Sequence, residues 1–279
     1  LGTSLTGYPE VVGSAELIGA RGVTFWIALL NGLLLELIIL FRNSIKVNRL
    51  LSKTAAIVLI FSLPVAWGFL RANSLPVARV SQVTVVQPNI IGKTKMSTPA
   101  ITDSTLSALE KLNMDGAGQS TDLIVLPEAT FWTRIEVDMV TQQKMSKVFE
   151  NWDAPVLVGG IGLTSADYKF TEYNSSFLFD PREGLTDFRY DKHYLVPWFE
   201  TMPLSLFRWR TNSPNFSEYG RGDERSIGEI ISGMKFGVLI CYESIFSEHS
   251  RLLRMGGADI LVNITNDVWL QSEWGTVLY

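Results

Sequence analysis

The pattern of apolar positions changes character near residue 80. Residues 23–40 read VTFWIALLNGLLLELIIL, with Glu36 the one charge, and residues 54–70 read TAAIVLIFSLPVAWGFL, with none. Each run is apolar on every helical face and close to the roughly 20 residues that cross a bilayer. With their flanks they predict two transmembrane helices, over about 18–40 and 54–72. The alternative is a buried helical hairpin in a soluble core. A signal peptide fits poorly, because the lead-in to the first run is acidic and no small-residue cleavage site follows. Pro64 is expected to kink the second helix. Glu36 at membrane depth requires a polar partner, and with Asn31 it marks a face for packing against other helices.

From Val83 onward the apolar runs are short. Those at 83–87, 122–127, 155–160, 174–180, 235–241 and 259–265 predict strands. Several are continuous rather than alternating, as expected for strands buried on both faces or in a sandwich core. Between the first two, Pro99 suits a first helical turn, and Ile101, Leu106, Leu109 and Leu112 form its apolar face. A second helix is expected over 135–150 with Ile135, Met139, Met145 and Phe149 inward, and a third over Ser247–Met255. Strands alternating with helices predict an α/β fold. The polar stretch 201–232 reads as a long excursion, and loops of that length are usually functional or mobile.

Charge follows the same division. Residues 1–80 carry seven Lys/Arg against three Asp/Glu, whereas the whole chain has a net charge of −4. Arg42, Lys46, Arg49 and Lys53 fall between the two apolar runs with no acid among them, which places that loop on the cytoplasmic side and residues 81–279 outside. The negative balance and the lack of a basic stripe argue against a nucleic-acid partner. One Cys and two His exclude an intramolecular disulfide and argue against a Cys/His metal site.

Polar groups at the ends of buried strands are the natural place for chemistry. Glu128 follows LIVLP, Lys192 follows FRYD, and Cys241 ends FGVLI ahead of YESIF, which looks helical. A cysteine at such a turn would gain thiolate character from the helix N-terminus and from a nearby lysine, and a carboxylate could exchange its proton. Cysteine, base and cation are the parts needed for acyl transfer through a thioester. Each residue also has an ordinary reading: a small core residue, a solvated loop acid, a solvated lysine.

The segments LPEATFW, YDKHYLVPWFE and ICYESIF, in that order, resemble the three signatures of the nitrilase (carbon–nitrogen hydrolase) superfamily. With the apolar helices and the phrases VVQPNI, YNSSFLFD and NITNDVW, the chain resembles, within it, the apolipoprotein N-acyltransferase family. The resemblance implies an αββα sandwich outside the bacterial inner membrane, preceded by transmembrane helices. It implies a Glu128 general base, a Lys192 that stabilises the tetrahedral oxyanion and a Cys241 nucleophile. Glu200 matches the acid that ends the VP-containing loop, and Tyr242 and Glu243 the pair that shapes the site. The acyl donor would be a phospholipid and the acceptor the N-terminal amine of an S-diacylglyceryl-cysteine in an apolipoprotein. No metal or organic cofactor is implied.

Many members read VPFGE where this chain has VPWFE, so Phe199 replaces a small residue. Trp198 and Phe199 have two readings, packing within the sandwich or contact with an acyl chain. Members of the family also carry more membrane helices before this region and more sandwich elements after it, so the chain reads as a fragment of a longer protein. Two rival functions remain: a membrane-tethered amidase using the same triad with water as acceptor, and a catalytically dead binding module.

Overall fold

The computed structural model describes residues 7–43, 47–75, 81–90, 98–112, 121–166, 169–201, 218–222, 226–230 and 232–266. The chain forms two compact units, Leu1–Val80 and Ser81–Tyr279. In the first, α1 (Pro9–Val12) leads into α2 (Ala15–Arg42) and α3 (Val47–Ser74). The two long helices have 28 residues each, about 42 Å at 1.5 Å per residue, and are long and apolar enough to cross a membrane. Gly19, at φ 67°, interrupts α2 near its start. At the contact of α1 with α3 a Cβ on Gly68 would stand 1.8 Å from the Glu10 carbonyl oxygen, so only glycine fits there.

Two acids of this unit are paired with cations. Lys53 Nζ lies 2.7 Å from Glu36, the partner that acid requires, and Arg71 grips Glu16 through two bonds of 2.7 and 2.8 Å. Asn31 donates to the Ile27 carbonyl of its own helix rather than to a neighbouring helix. Pro64 lies inside α3 and has no N–H to offer the carbonyl four residues back. That carbonyl, on Ile60, instead accepts from the Trp26 indole at 2.7 Å, and the Trp26 and Phe61 rings stack 6.1 Å apart.

In the second unit, strands β1 (Val83–Val85), β2 (Leu123–Val125), β3 (Val156–Ala166), β4 (Lys169–Asp180) and β5 (Gly184–Asp191) form one sheet in that order. The first three run parallel and the last two pairings are antiparallel. Strands β6 (Ile227–Glu229), β7 (Lys235–Ile240) and β8 (Ile260–Ile264) form a second sheet, with β7 parallel to β8. Side chains alternate across each strand, and the alternation builds the layers. Leu123, Val125 and Leu157 face Phe236, Val238, Ile240 and Val262 between the sheets. Ile124, Leu126, Val156 and Val158 face the other way, onto Leu106 and Leu109 of α4 (Thr98–Lys111) and Met145 and Phe149 of α5 (Met139–Phe149). Leu253 of α6 (Ser247–Met255) packs on Leu239 at the outer face of the second sheet. The order helix, sheet, sheet, helix is the αββα sandwich expected from sequence.

Several details differ from the expectation. α5 begins at Met139, four residues late, and Met139 is 60% exposed rather than inward. Leu112 lies beyond α4 and is exposed. Strands β5 and β6 carry no long apolar run and escaped the pattern. Cys241–Ile245 is a short 3-10 turn, not an α-helix. Most of the excursion at 201–232 lies outside the described residues.

Candidate active site

Three strand ends supply the candidate residues. The chain leaves β2 through Leu126 and Pro127 to the buried Glu128, followed by Ala129 at φ 48°. This loop lies directly on β3: a Cβ on Gly159 would stand 2.6 Å from the Pro127 carbonyl oxygen and 2.7 Å from the Ala129 nitrogen. Lys192 follows β5. Its N–H bonds the Asn174 carbonyl at 2.9 Å, which extends the β4–β5 pairing by one step and fixes the side chain inward, 1% exposed. Cys241 follows β7 at φ 53°, a left-handed conformation that non-glycine residues adopt sparsely and that tends to mark functional turns.

Lys192 Nζ lies 3.0 Å from Glu200 Oε1 and 3.4 Å from Glu128 Oε1. The Asn174 amide bridges the same two carboxylates, donating to each at 2.8 Å. The other Glu128 oxygen accepts the Asn266 N–H at 3.0 Å. Glu200 is returned to the lysine by a tight turn in which its N–H bonds the Val196 carbonyl at 2.9 Å and the Val196 N–H bonds its carboxylate at 2.8 Å. Trp198, at φ 72°, and Phe199 project from that turn, 45% and 53% exposed. Tyr242 packs edge-on against Phe246, 5.2 Å between centroids. Glu243 is wholly buried and joins Ile240 N–H to the N–H groups of His193 and Tyr194.

Burial pushes the Glu128 carboxyl above the ordinary range, against the lowering pull of Lys192 and the Asn174 bond. Burial alone would lower Lys192, but Glu128 and Glu200 outweigh it and hold the ammonium above its ordinary value. The Cys241 thiol is also raised, by burial and by the Glu128 charge, against the Thr265 hydrogen bond and Lys192. The sequence led us to expect the opposite direction. A lysine already committed to two carboxylates has little field left for the thiol, and a five-residue 3-10 turn offers less than a helix N-terminus. The resting arrangement is a protonated thiol coupled electrostatically to a buried carboxyl group of elevated pKa and to a buried cation.

Pattern reading missed Asn174, Asn266, Thr265, Tyr190 and His249. Asn174, Thr265 and Asn266 stand in phrases noted for family likeness, but nothing in their spacing announces a role. Among the described residues no cluster of three His, Cys, Asp or Glu side chains could hold a metal ion.

Residues 82–276 match the carbon–nitrogen hydrolase family, and the chain belongs to that family. The nitrilase-like class of the fold is thus established, together with two N-terminal apolar helices that could span a membrane. The chain is 26% identical over 258 residues to the apolipoprotein N-acyltransferase of Geobacter metallireducens, covering 91% of this chain and 49% of that protein. It is 26% identical over 302 residues to the apolipoprotein N-acyltransferase of Chlorobaculum tepidum, covering 98% and 56%. The chain therefore spans about half the length of the curated relatives it matches. Among solved structures it is similar to a carbon–nitrogen hydrolase from Helicobacter pylori G27, at 18% identity and a TM-score of 0.47, over 66% of this chain and 60% of that one.

Proposed function

We propose that this chain carries the catalytic site of an N-acyltransferase that moves a fatty acyl group from a phospholipid, through a thioester on Cys241, to the N-terminal amine of an S-diacylglyceryl-cysteine in apolipoproteins. The observation that carries the reading is the buried Lys192 between Glu128 and Glu200, with the Cys241 thiol under the field of both Glu128 and Lys192. The acyl donor and acceptor are argued from the two apolar helices and from the names of the relatives.

In the first half-reaction Glu128 takes the thiol proton as Sγ attacks the ester carbonyl. A carboxylate of raised pKa is the better base for a neutral thiol. Lys192 faces the oxyanion that develops, and such a preorganised donor typically stabilises the transition state by roughly 3–4 kcal/mol. Collapse breaks the ester C–O bond, and the departing lysophospholipid oxygen takes the proton from Glu128. In the second half the acceptor amine attacks the thioester, Glu128 removes its proton, and the C–S bond breaks. The thiolate recovers its proton from Glu128, so the enzyme returns unchanged.

Mass spectrometry of full-length protein extracted from membranes tests this. A fatty-acyl adduct is expected on Cys241, absent in Cys241→Ala and discharged by a diacylglyceryl-peptide amine. Discharge by water alone would instead support the amidase, and absence of any adduct refutes the thioester.

The same reading places the helical unit in the inner membrane with residues 81–279 outside, on the strength of the cations between α2 and α3. In a Cys241→Ala background, an impermeant thiol reagent on intact spheroplasts should label Glu183→Cys and spare Asn43→Cys. The reverse pattern overturns the orientation.

A further inference from the structure

Lys192 and Cys241 stand on different sheets, the lysine after β5 and the cysteine after β7. A catalytic pair split in this way depends on whatever fixes one sheet end against the other. Glu243 is the fastening. One carboxylate oxygen accepts the His193 N–H at 2.7 Å and the Tyr194 N–H at 3.0 Å, the two residues after Lys192. The other accepts the Ile240 N–H at 2.8 Å, the residue before Cys241.

Glu243 is itself held by a group that none of these backbone contacts requires. The Tyr190 hydroxyl lies 2.8 Å from both carboxylate oxygens and 2.8 Å from Nε2 of His249. Tyr190, Glu243 and His249 are all wholly buried. A tyrosine hydroxyl has one proton to give. Directed at the carboxylate, it leaves the phenolic oxygen as acceptor for an Nε2–H of His249, and the network assigns that tautomer. The bonds then run in one direction, from the His249 N–H through the Tyr190 O–H to Glu243. Each link polarises the next, and in a dry interior such a chain holds its members more firmly than isolated bonds would. His249 is fixed in turn by His193, whose ring stacks on it at 5.9 Å and 8°. His193 bonds the Gly222 carbonyl at 2.6 Å.

We propose that Tyr190 and His249 are positioning residues for the nucleophile: their relay holds the Glu243 carboxylate in the one orientation that keeps the strained Cys241 turn in register with Lys192 across the two sheets. Both act through the Glu243 carboxylate, to which the Tyr190 hydroxyl is bonded. The catalytic meaning of that register rests on the thioester reading above, but the register itself does not, and the two are separable by experiment.

The probe is iodoacetamide, with carbamidomethylation of Cys241 followed by mass spectrometry in the full chain at one pH near neutrality, and the thermal midpoint measured alongside. Loss of one bond in a buried charge-assisted chain should slow alkylation roughly tenfold in Tyr190→Phe and in His249→Leu. His249→Gln keeps an N–H donor near the Nε2 position and should stay within about threefold of the parent. A merely structural contribution would lower the midpoints and leave the alkylation rate of the folded protein unchanged. Rates within about twofold of the parent in folded Tyr190→Phe or His249→Leu overturn the proposal, as does a His249→Gln variant no faster than His249→Leu. If Tyr190→Phe does not fold, the His249 pair decides alone. The readout needs no acyl donor. A protein with the expected alkylation pattern but no acyl adduct on Cys241 keeps the relay and loses the acyltransferase reading.

Discussion

In the helical unit Phe25 is 68% exposed and Leu70 71%, while in the sandwich Lys192 is 1% exposed and Glu243 is buried outright. The first unit turns outward what a soluble protein hides, and the second hides what a soluble protein turns outward. The two inversions have different causes. Apolar side chains directed outward suit a lipid solvent, where the demand falls on backbone polar groups, as the bond from Trp26 to the Ile60 carbonyl shows. Charges directed inward have no such benefit. They cost desolvation, and they persist where chemistry needs fields undiluted by water.

The largest test of that contrast is Lys192→Met. It leaves the buried Glu128 and the partly buried Glu200 around an apolar side chain, so stability should fall by about 3–5 kcal/mol in addition to the loss of acylation. Adding Glu128→Gln to Lys192→Met should recover part of the stability and none of the activity, read by chemical unfolding and by adduct formation. Glu128→Gln alone sharpens the point through pH. Because folding raises the Glu128 pKa, this group's contribution is full below the ordinary glutamate value and is lost as pH rises through the raised one. Stability of Glu128→Gln relative to the parent should therefore improve from about pH 4 to about pH 7. Lys192, raised on folding, keeps its contribution across that window and loses it only in alkali. A relative stability that falls over the same window would refute the sign assigned to Glu128.

In the helical unit the matching test is smaller. Trp26→Phe preserves most of the apolar area and leaves the Ile60 carbonyl without its donor, at a cost of about 1–3 kcal/mol. Pro64→Ala restores an N–H four residues on and should rescue Trp26→Phe, while contributing much less in the parent. Additive effects in that double-mutant cycle would dissociate the indole bond from the proline.

Much of this was legible in the residues, and the gaps have physical causes. Apolar runs disclose whatever is buried for its hydrophobicity, so the strands at 156, 235 and 260 and the helix Ser247–Met255 could be read directly. β5, GLTDFRYD, could not. Its Arg189 pairs with Glu136 and Asp191, and ionic partners leave no periodic signature. The candidate positions Glu128, Lys192 and Cys241 stood out through family segments, not through spacing. His249 reads as a helix residue like any other, since its meaning lies in Tyr190, 59 residues away. The direction of the Cys241 thiol was misjudged because sequence reveals that a lysine is near but not that two carboxylates already hold it.

The smallest effect concerns Trp198 and Phe199, where the two kinds of exposure meet in one unit. Both rings remain about half exposed although they belong to a turn that delivers Glu200 to a buried cation. Packing in the sandwich therefore accounts for only part of either side chain. Contact with an acyl chain would withdraw the rest from water, and full burial of such a side chain contributes roughly 1.5–3 kcal/mol. Trp198 is also held at φ 72°, which glycine adopts without strain. Trp198→Gly should thus leave thermal stability within about 1 kcal/mol of the parent, since relief of the turn offsets lost contact and added chain entropy. The same change combined with Phe199→Ala should slow acylation of Cys241 by a long-chain phospholipid about tenfold, and by a short-chain soluble ester by less than about twofold. Equal slowing with both donors, accompanied by a clear drop in melting temperature, would assign the pair to packing and remove them from the path of the lipid.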